Sequence, residues 1–194
     1  MKEKYVPTSE ARNHDLMMTN KIKEIVENHN HWLNEDCDGW QNMRAKFNLG
    51  VLSNANLSGV NLSRADFSMS DFSDSDLSGI NLSDADLSLA TFAWADISEA
   101  NLHGADLNGA DLMGVDLSRA DLSEANLRGA NLSRANLTGA NLSNADLCSA
   151  ILNGANLQGA NLYGTDLSET ELMGTDLKSA KNVSETFKKR SKIE

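Results

Sequence analysis

The sequence predicts an all-β solenoid preceded by a helical extension, and three observations carry that prediction. First, a five-residue unit recurs from Ala45 to Ala180 without one insertion or deletion, as in Ala105-Asp106-Leu107-Asn108-Gly109-Ala110-Asp111-Leu112. Second, its 27 centres, from Phe47 to Leu177, are all Leu, Phe or Ile. A small residue, mostly Ala, stands two places before each centre and Asp or Asn one place before; a polar residue and then a turn former follow. Third, Ile22, Ile25, Val26, His29, Trp32 and Leu33 fall at helical spacing before the repeat begins.

Geometry selects the form of the repeat. On an α-helix, five residues advance about 140°, so the leucines would spiral and never share a face. On an unbroken strand an odd period would send successive leucines to opposite sides of the sheet. The remaining solution runs Ala-Asp-Leu extended, in, out, in, and turns a corner over the next two residues, so that each unit is one side of a closed polygon.

Composition bounds the function. The chain has 194 residues, one domain by length, with 17 Lys and Arg against 28 Asp and Glu and a net charge of -11. That balance argues against direct nucleic-acid binding, which needs a cationic surface. The acidity belongs to the repeats: residues 45–180 hold 18 acidic and 6 basic residues, a net of -12, with -2 before and +3 after. Polar residues follow Met1 where a secretory signal would be apolar, and no apolar run is long enough to span a bilayer, so a cytoplasmic protein without membrane contact is expected. Cys37 and Cys148 fit no CxxC pattern and read as two free thiols. The sequon-like triplets, Asn56-Leu57-Ser58 among them, are by-products of the repeat.

The unit resembles the A(D/N)LXX motif of the pentapeptide repeat family, and the match runs from Ala45 to Ala180 at nearly every unit. The resemblance implies a right-handed quadrilateral β-helix, four units and 20 residues per coil, with Leu or Phe on the axis and Ala at the inner corners. The 27 units make about seven coils, which at a spacing of ~4.8 Å form a rod roughly 32 Å long. Its open ends need covers. One expected cover is a single amphipathic helix over about 19–33 within the 1–44 extension, with Thr19 as N-cap and Gly39 as stop signal. The other is the segment 181–194, where Asn182 to Phe187 breaks register before the basic tail Lys188-Lys189-Arg190-Ser191-Lys192, which is expected to be mobile. The stretch Glu27 to Asn34 is also similar to segments preceding the repeats in other members.

Positions 20 apart then stack into columns. Asp66, Asp86, Asp106, Asn126, Asp146 and Asp166 share one face; Asp76, Asp96, Asp116, Asn136, Asn156 and Asp176 share the opposite one. Between them runs a nearly neutral column of Asn61, Asn81, Asn101, Asp121, Asn141 and Asn161. At the turn position Leu49, Met69 and Leu89 form an apolar edge beside Val51 and close to Trp94. Either the N-terminal helix or the segment 35–44 folds over that edge, or two copies of the chain form a homodimer through it. Inside, Phe47 over Phe67, Phe72 over Phe92, and the large inner-corner residues Val60 and Ile80 overfill the N-terminal coils.

Catalytic chemistry is missing. No nucleophile elbow, P-loop or dinucleotide fingerprint is present, and Gly104, Gly109 and Gly114 are turn positions with no Lys to follow them. His29, His31, Asp36, Cys37 and Asp38 match no common zinc spacing, His103 reads as a solvated outer residue, and the Asp columns lack the glycine-rich loops of calcium-binding β-rolls. No enzyme, metal or cofactor is expected. The reading is a non-enzymatic scaffold or protein-interaction module with an unknown protein partner. The alternative is implied by the resemblance: an acidic mimic of B-DNA that binds a type II topoisomerase, inhibiting gyrase or protecting it from quinolones. Two departures count against it. The gyrase-protecting members carry loops projecting from the coils, and members that bind topoisomerases dimerise through an apolar C-terminal segment, whereas here the register is unbroken and the tail is basic.

Overall fold

The computed structural model describes residues 9–35, 44–47 and 50–183. The chain divides into two compact units, Met1–Ala45 and Lys46–Glu194.

The first unit contains one helix, α1, over Ser9–Asn34. It begins ten residues before the expected start, so Thr19 lies inside the helix and not at its N-terminus. The reason is local: Ala11, Arg12, Leu16, Met17 and Met18 are good helix formers and no Gly or Pro interrupts them, so nothing stops the helix growing back past Thr19. It ends at Glu35, which takes φ 53°, the left-handed conformation common just past a helix C-terminus. Gly39, the expected stop, lies outside the described residues, as do Asp36, Cys37 and Asp38. His29 is fully buried, stacks on Trp32 at 5.3 Å between ring centroids, and accepts the Ala45 amide at Nδ1, 3.0 Å away. Arg44 lies over the Trp32 ring at 5.9 Å.

The second unit is a four-sided coil. Parallel bridges join residues 20 apart at every side, from Lys46 with Asp66 to Ile151 with Glu171, and again at Asn161 with Lys181. Four units per turn follow from that register.

The hydrogen bonds explain why the motif has this composition. In the unit of Asp106 to Ala110 the Asp106 amide donates back to the previous coil at Ala85, and the Leu107 and Gly109 amides donate forward to Asn126 and Arg128. The Ala110 amide closes the turn on the Leu107 carbonyl. The fifth amide, of Asn108, goes to the Asp106 carboxylate at 3.1 Å. Four of the five amides are thus satisfied by backbone and one by the Asp or Asn side chain, which is why that position needs an oxygen two residues from the amide. Where Ser follows the centre, its hydroxyl often donates to the same oxygen, as Ser88 does to Asp86 at 2.7 Å.

Burial follows the same logic. Leu107, Leu127 and Leu147 are at most 1% exposed, and the Ala corners between them are equally closed. Phe72 and Phe92 stack at 4.9 Å and 3°, and Phe47 over Phe67 at 6.1 Å and 35°. Ser70 and Ser75 replace inner Ala and donate to the Phe47 and Phe72 carbonyls at 2.6 and 2.5 Å. Near the C-terminal end, Thr165, Thr170 and Thr175 do the same to Leu142, Leu147 and Leu152.

The last unit departs from expectation. Leu177–Ser179 forms a 3-10 turn, and the side that would set Asp176 beside Asn156 has no bridge. The ladder then resumes at Lys181, one residue past the expected end, where its amide reaches Ala160 at 2.7 Å.

Candidate interaction surface

The four sides differ, and the differences come from which residues occupy the outward position. Asp66, Asp86, Asp106, Asn126, Asp146 and Asp166 stack on one side; Asp76, Asp96, Asp116, Asn136 and Asn156 stack on the opposite side. Asp176 drops out of its column at the 3-10 turn.

Asn and Asp are not equivalent in these columns. An Asn side chain donates across the coil gap to a stacked carboxylate: Asn126 to Asp106 at 2.9 Å, Asn136 to Asp116 at 3.0 Å, and Asn56 to Asp76 at 3.3 Å. Two stacked aspartates have no such proton to share. The result is two runs of three carboxylates, Asp66-Asp86-Asp106 and Asp76-Asp96-Asp116, each ended by an Asn amide. Further along, Asp146 pairs with Arg128 at 3.1 Å.

Charge is concentrated accordingly. Between Ala65 and Ser118 the sequence has no Lys or Arg and 11 acidic residues. Glu99 in that span meets Arg119 of the following coil at 2.7 Å, both side chains being largely exposed. On the neutral side Asp121 is the exception. Desolvation would raise its pKa, but bonds from the Ser123 hydroxyl and amide, the Asn141 amide and nearby His103 outweigh that and hold it below its ordinary value.

The fourth side, Val51, Asp71, Thr91, Asp111, Asn131, Ile151 and Glu171, breaks the motif most often. Thr91 supplies no carboxylate to the amide of Ala93, and among the described residues no other acceptor takes that bond. This side lies between the two acidic ones. Met69 and Leu89 stand along one of its corners and Trp94 on the other, 54%, 55% and 55% exposed, with Val51 also exposed. Leu49 lies outside the described residues. Sequence reading named these apolar residues but missed the uncharged floor between them because it followed the Asp and Asn columns; the replacements at Thr91 and Ala93 were the available signal. It also passed over Tyr163 and Met173, both exposed near the C-terminal end.

His103 is half-buried, not fully solvated: its Nδ1 lies 3.0 Å from the Ser123 hydroxyl, and that hydroxyl donates to Asp121 at 2.7 Å. Among the described residues no helix is long and apolar enough to cross a membrane.

The family profile described as Pentapeptide repeats matches in eight copies, over residues 44–79, 75–114, 116–154 and 140–178. The chain belongs to the pentapeptide repeat family. Pentapeptide repeat proteins are generally non-enzymatic and act as structural and protein-interaction modules. Among solved structures the chain is similar to a pentapeptide repeat protein of the cyanobacterium Cyanothece 51142, with 44% identity over 47% of this chain and 61% of that one, TM-score 0.45. It thus matches about three fifths of that protein's length. HetL, a pentapeptide repeat protein involved in heterocyst differentiation regulation in Nostoc sp. strain PCC 7120, is 28% identical over 71% of this chain and 89% of its own, TM-score 0.32. QnrB1, a plasmid-mediated fluoroquinolone resistance protein, is 27% identical over 71% and 72%, TM-score 0.43. No curated protein matches.

Proposed function

We propose that this pentapeptide repeat rod is a non-enzymatic interaction module that meets a cationic protein surface through the coils between Ala65 and Ser118. One observation carries the reading: those coils hold 11 acidic residues and no Lys or Arg, with six of the carboxylates stacked in two opposed runs. Stacked unit charges ~4.8 Å apart repel by about 0.9 kcal/mol even at the dielectric of water, so a cationic partner relieves a cost the free rod carries.

The non-enzymatic part is supported at a place where, among the described residues, a histidine, a serine and an aspartate meet. Ser123 gives its hydroxyl proton to Asp121, so His103 can only donate to the serine oxygen and cannot act as its base.

A second reading, mimicry of duplex DNA toward a type II topoisomerase, is favoured by the opposed placement of the two acidic sides. Weighing against it, each run is three carboxylates long before an Asn amide ends it, which is short beside a continuous phosphate backbone. A supercoiling assay with purified gyrase, with and without a quinolone, separates the two readings. The interaction-module reading expects no change in supercoiling at micromolar protein, and retention on a cation-presenting surface that falls steeply from low to physiological salt. Retention independent of salt would overturn it.

A further inference from the structure

The side between the Met69–Leu89 corner and the Trp94 corner combines features that a turn does not need. Met69, Leu89 and Trp94 all hold positive φ, 57°, 57° and 62°. Gly or Asn enters that conformation easily, whereas bulky apolar residues do not. Charged residues occupy the same turn position elsewhere with their heads in water; these three expose apolar surface as well. The next coil is also shaped to receive two of them, Leu89 and Trp94. A Cβ on Gly109 would stand 2.8 Å from the Leu89 side chain, and one on Gly114 would enter the Trp94 ring. Leu89 and Trp94 therefore lie on bare backbone, which fixes their orientation before any partner arrives. Between them the floor is Thr91 and Ala93, half-buried and without charge. The floor is about 10 Å wide, three extended residues at ~3.3 Å, close to the diameter of a helix with its side chains.

We propose that this strip docks a cationic amphipathic helix of another protein. Its apolar face sits against Leu89, Thr91, Ala93 and Trp94, and its lysines and arginines reach Asp86 on one adjacent side and Asp96 on the other. The choice of occupant rests on charge. A second copy of this chain would bring one coil segment with no Lys or Arg against another, placing like-charged aspartates across the contact, whereas a basic helix neutralises both flanks. This inference rests on the cationic-partner reading above and adds the apolar anchors and the helical form of the partner.

The test uses the full chain and two synthetic peptides of about 18 residues. One is a Leu–Lys amphipathic helix; the other is a scrambled isomer of the same composition with no apolar face. At near-physiological salt the amphipathic peptide is expected to bind at least about tenfold more tightly than its isomer. The double variant Leu89→Asn, Trp94→Asn should lose that preference while its thermal midpoint stays level or rises, because Asn tolerates positive φ. Equal binding of the two peptides by the wild type, a preference retained by the variant, or a fallen midpoint would overturn the docking strip. So would a wild-type dimer in sedimentation that the variant dissociates, since the face would then be a self-interface. Equal but salt-sensitive binding would leave the cationic-partner reading standing, and binding of neither peptide at low salt would remove both.

Discussion

At the scale of single residues, the motif's polar position does three things at once: it faces solvent, it satisfies an amide two residues on, and, when it is Asn, it bridges coils. The third role makes Asn and Asp distinguishable by experiment. Asn126→Asp should cost about 1 kcal/mol through the lost bond to Asp106, and more at low salt, because it joins Asp106 to Asp146 in one unbroken carboxylate column. Urea melts at two ionic strengths check this; a salt-independent loss would mean that the repulsion is negligible. The turn glycines allow a paired comparison. Gly129 has φ 64° with open space beyond, while Gly114 has φ 66° beneath the Trp94 ring. Ala at either site strains the backbone by about 1–2 kcal/mol, and Gly114→Ala must also displace the ring, so it should be the more destabilising of the two. A reversed order would place Trp94 elsewhere.

At the scale of elements, the coil was legible in the sequence and its ends were not. A period of five with an apolar centre leaves one closed geometry, so the axial leucines can be named from their spacing alone. Leu127, wholly buried, tests the point: Leu127→Ala should cost about 2–5 kcal/mol in chemical denaturation, and a loss well under 1 kcal/mol would contradict its place on the axis. The helix was read from its apolar spacing, which marked Ile22 to Leu33 but carried no information about where Ala11 to Met18 would stop. The final unit has a regular sequence, Thr175-Asp176-Leu177-Lys178-Ser179, yet turns as a 3-10 segment. Asp176 accordingly stands outside the parallel backbone ladder that runs through its counterparts. Of the candidate surface, the acidic columns could be listed from spacing alone. The way Leu89 and Trp94 lie over Gly109 and Gly114 depends on contacts between residues 20 apart, which appear only once the coils are stacked.

At the scale of the whole molecule, the rod's stability and its charge are coupled through pH. Asp121 and Asp166 are both held below their ordinary value of 3.8, the first despite desolvation and the second chiefly by the Ser168 hydroxyl and amide. A depressed carboxylate contributes stability that is complete above its unfolded pKa and is lost as pH falls through its folded one. The thermal midpoint should therefore hold level above about pH 5 and decline below roughly pH 3.8, less steeply in an Asp121→Asn variant. A midpoint that climbs on acidification would show that relief of repulsion among the stacked carboxylates outweighs these bonds. The twenty-residue register has one more implication, for how such a chain can change length. Excising one full circuit, Ala125 to Asn144, would slide everything downstream along the axis and leave each surface the same sort of residue it had before. Excising a single unit would instead give the rest of the rod a quarter turn, carrying Ile151 onto the side that holds Asp66 and Asp86 and rewriting its surface without altering one downstream side chain.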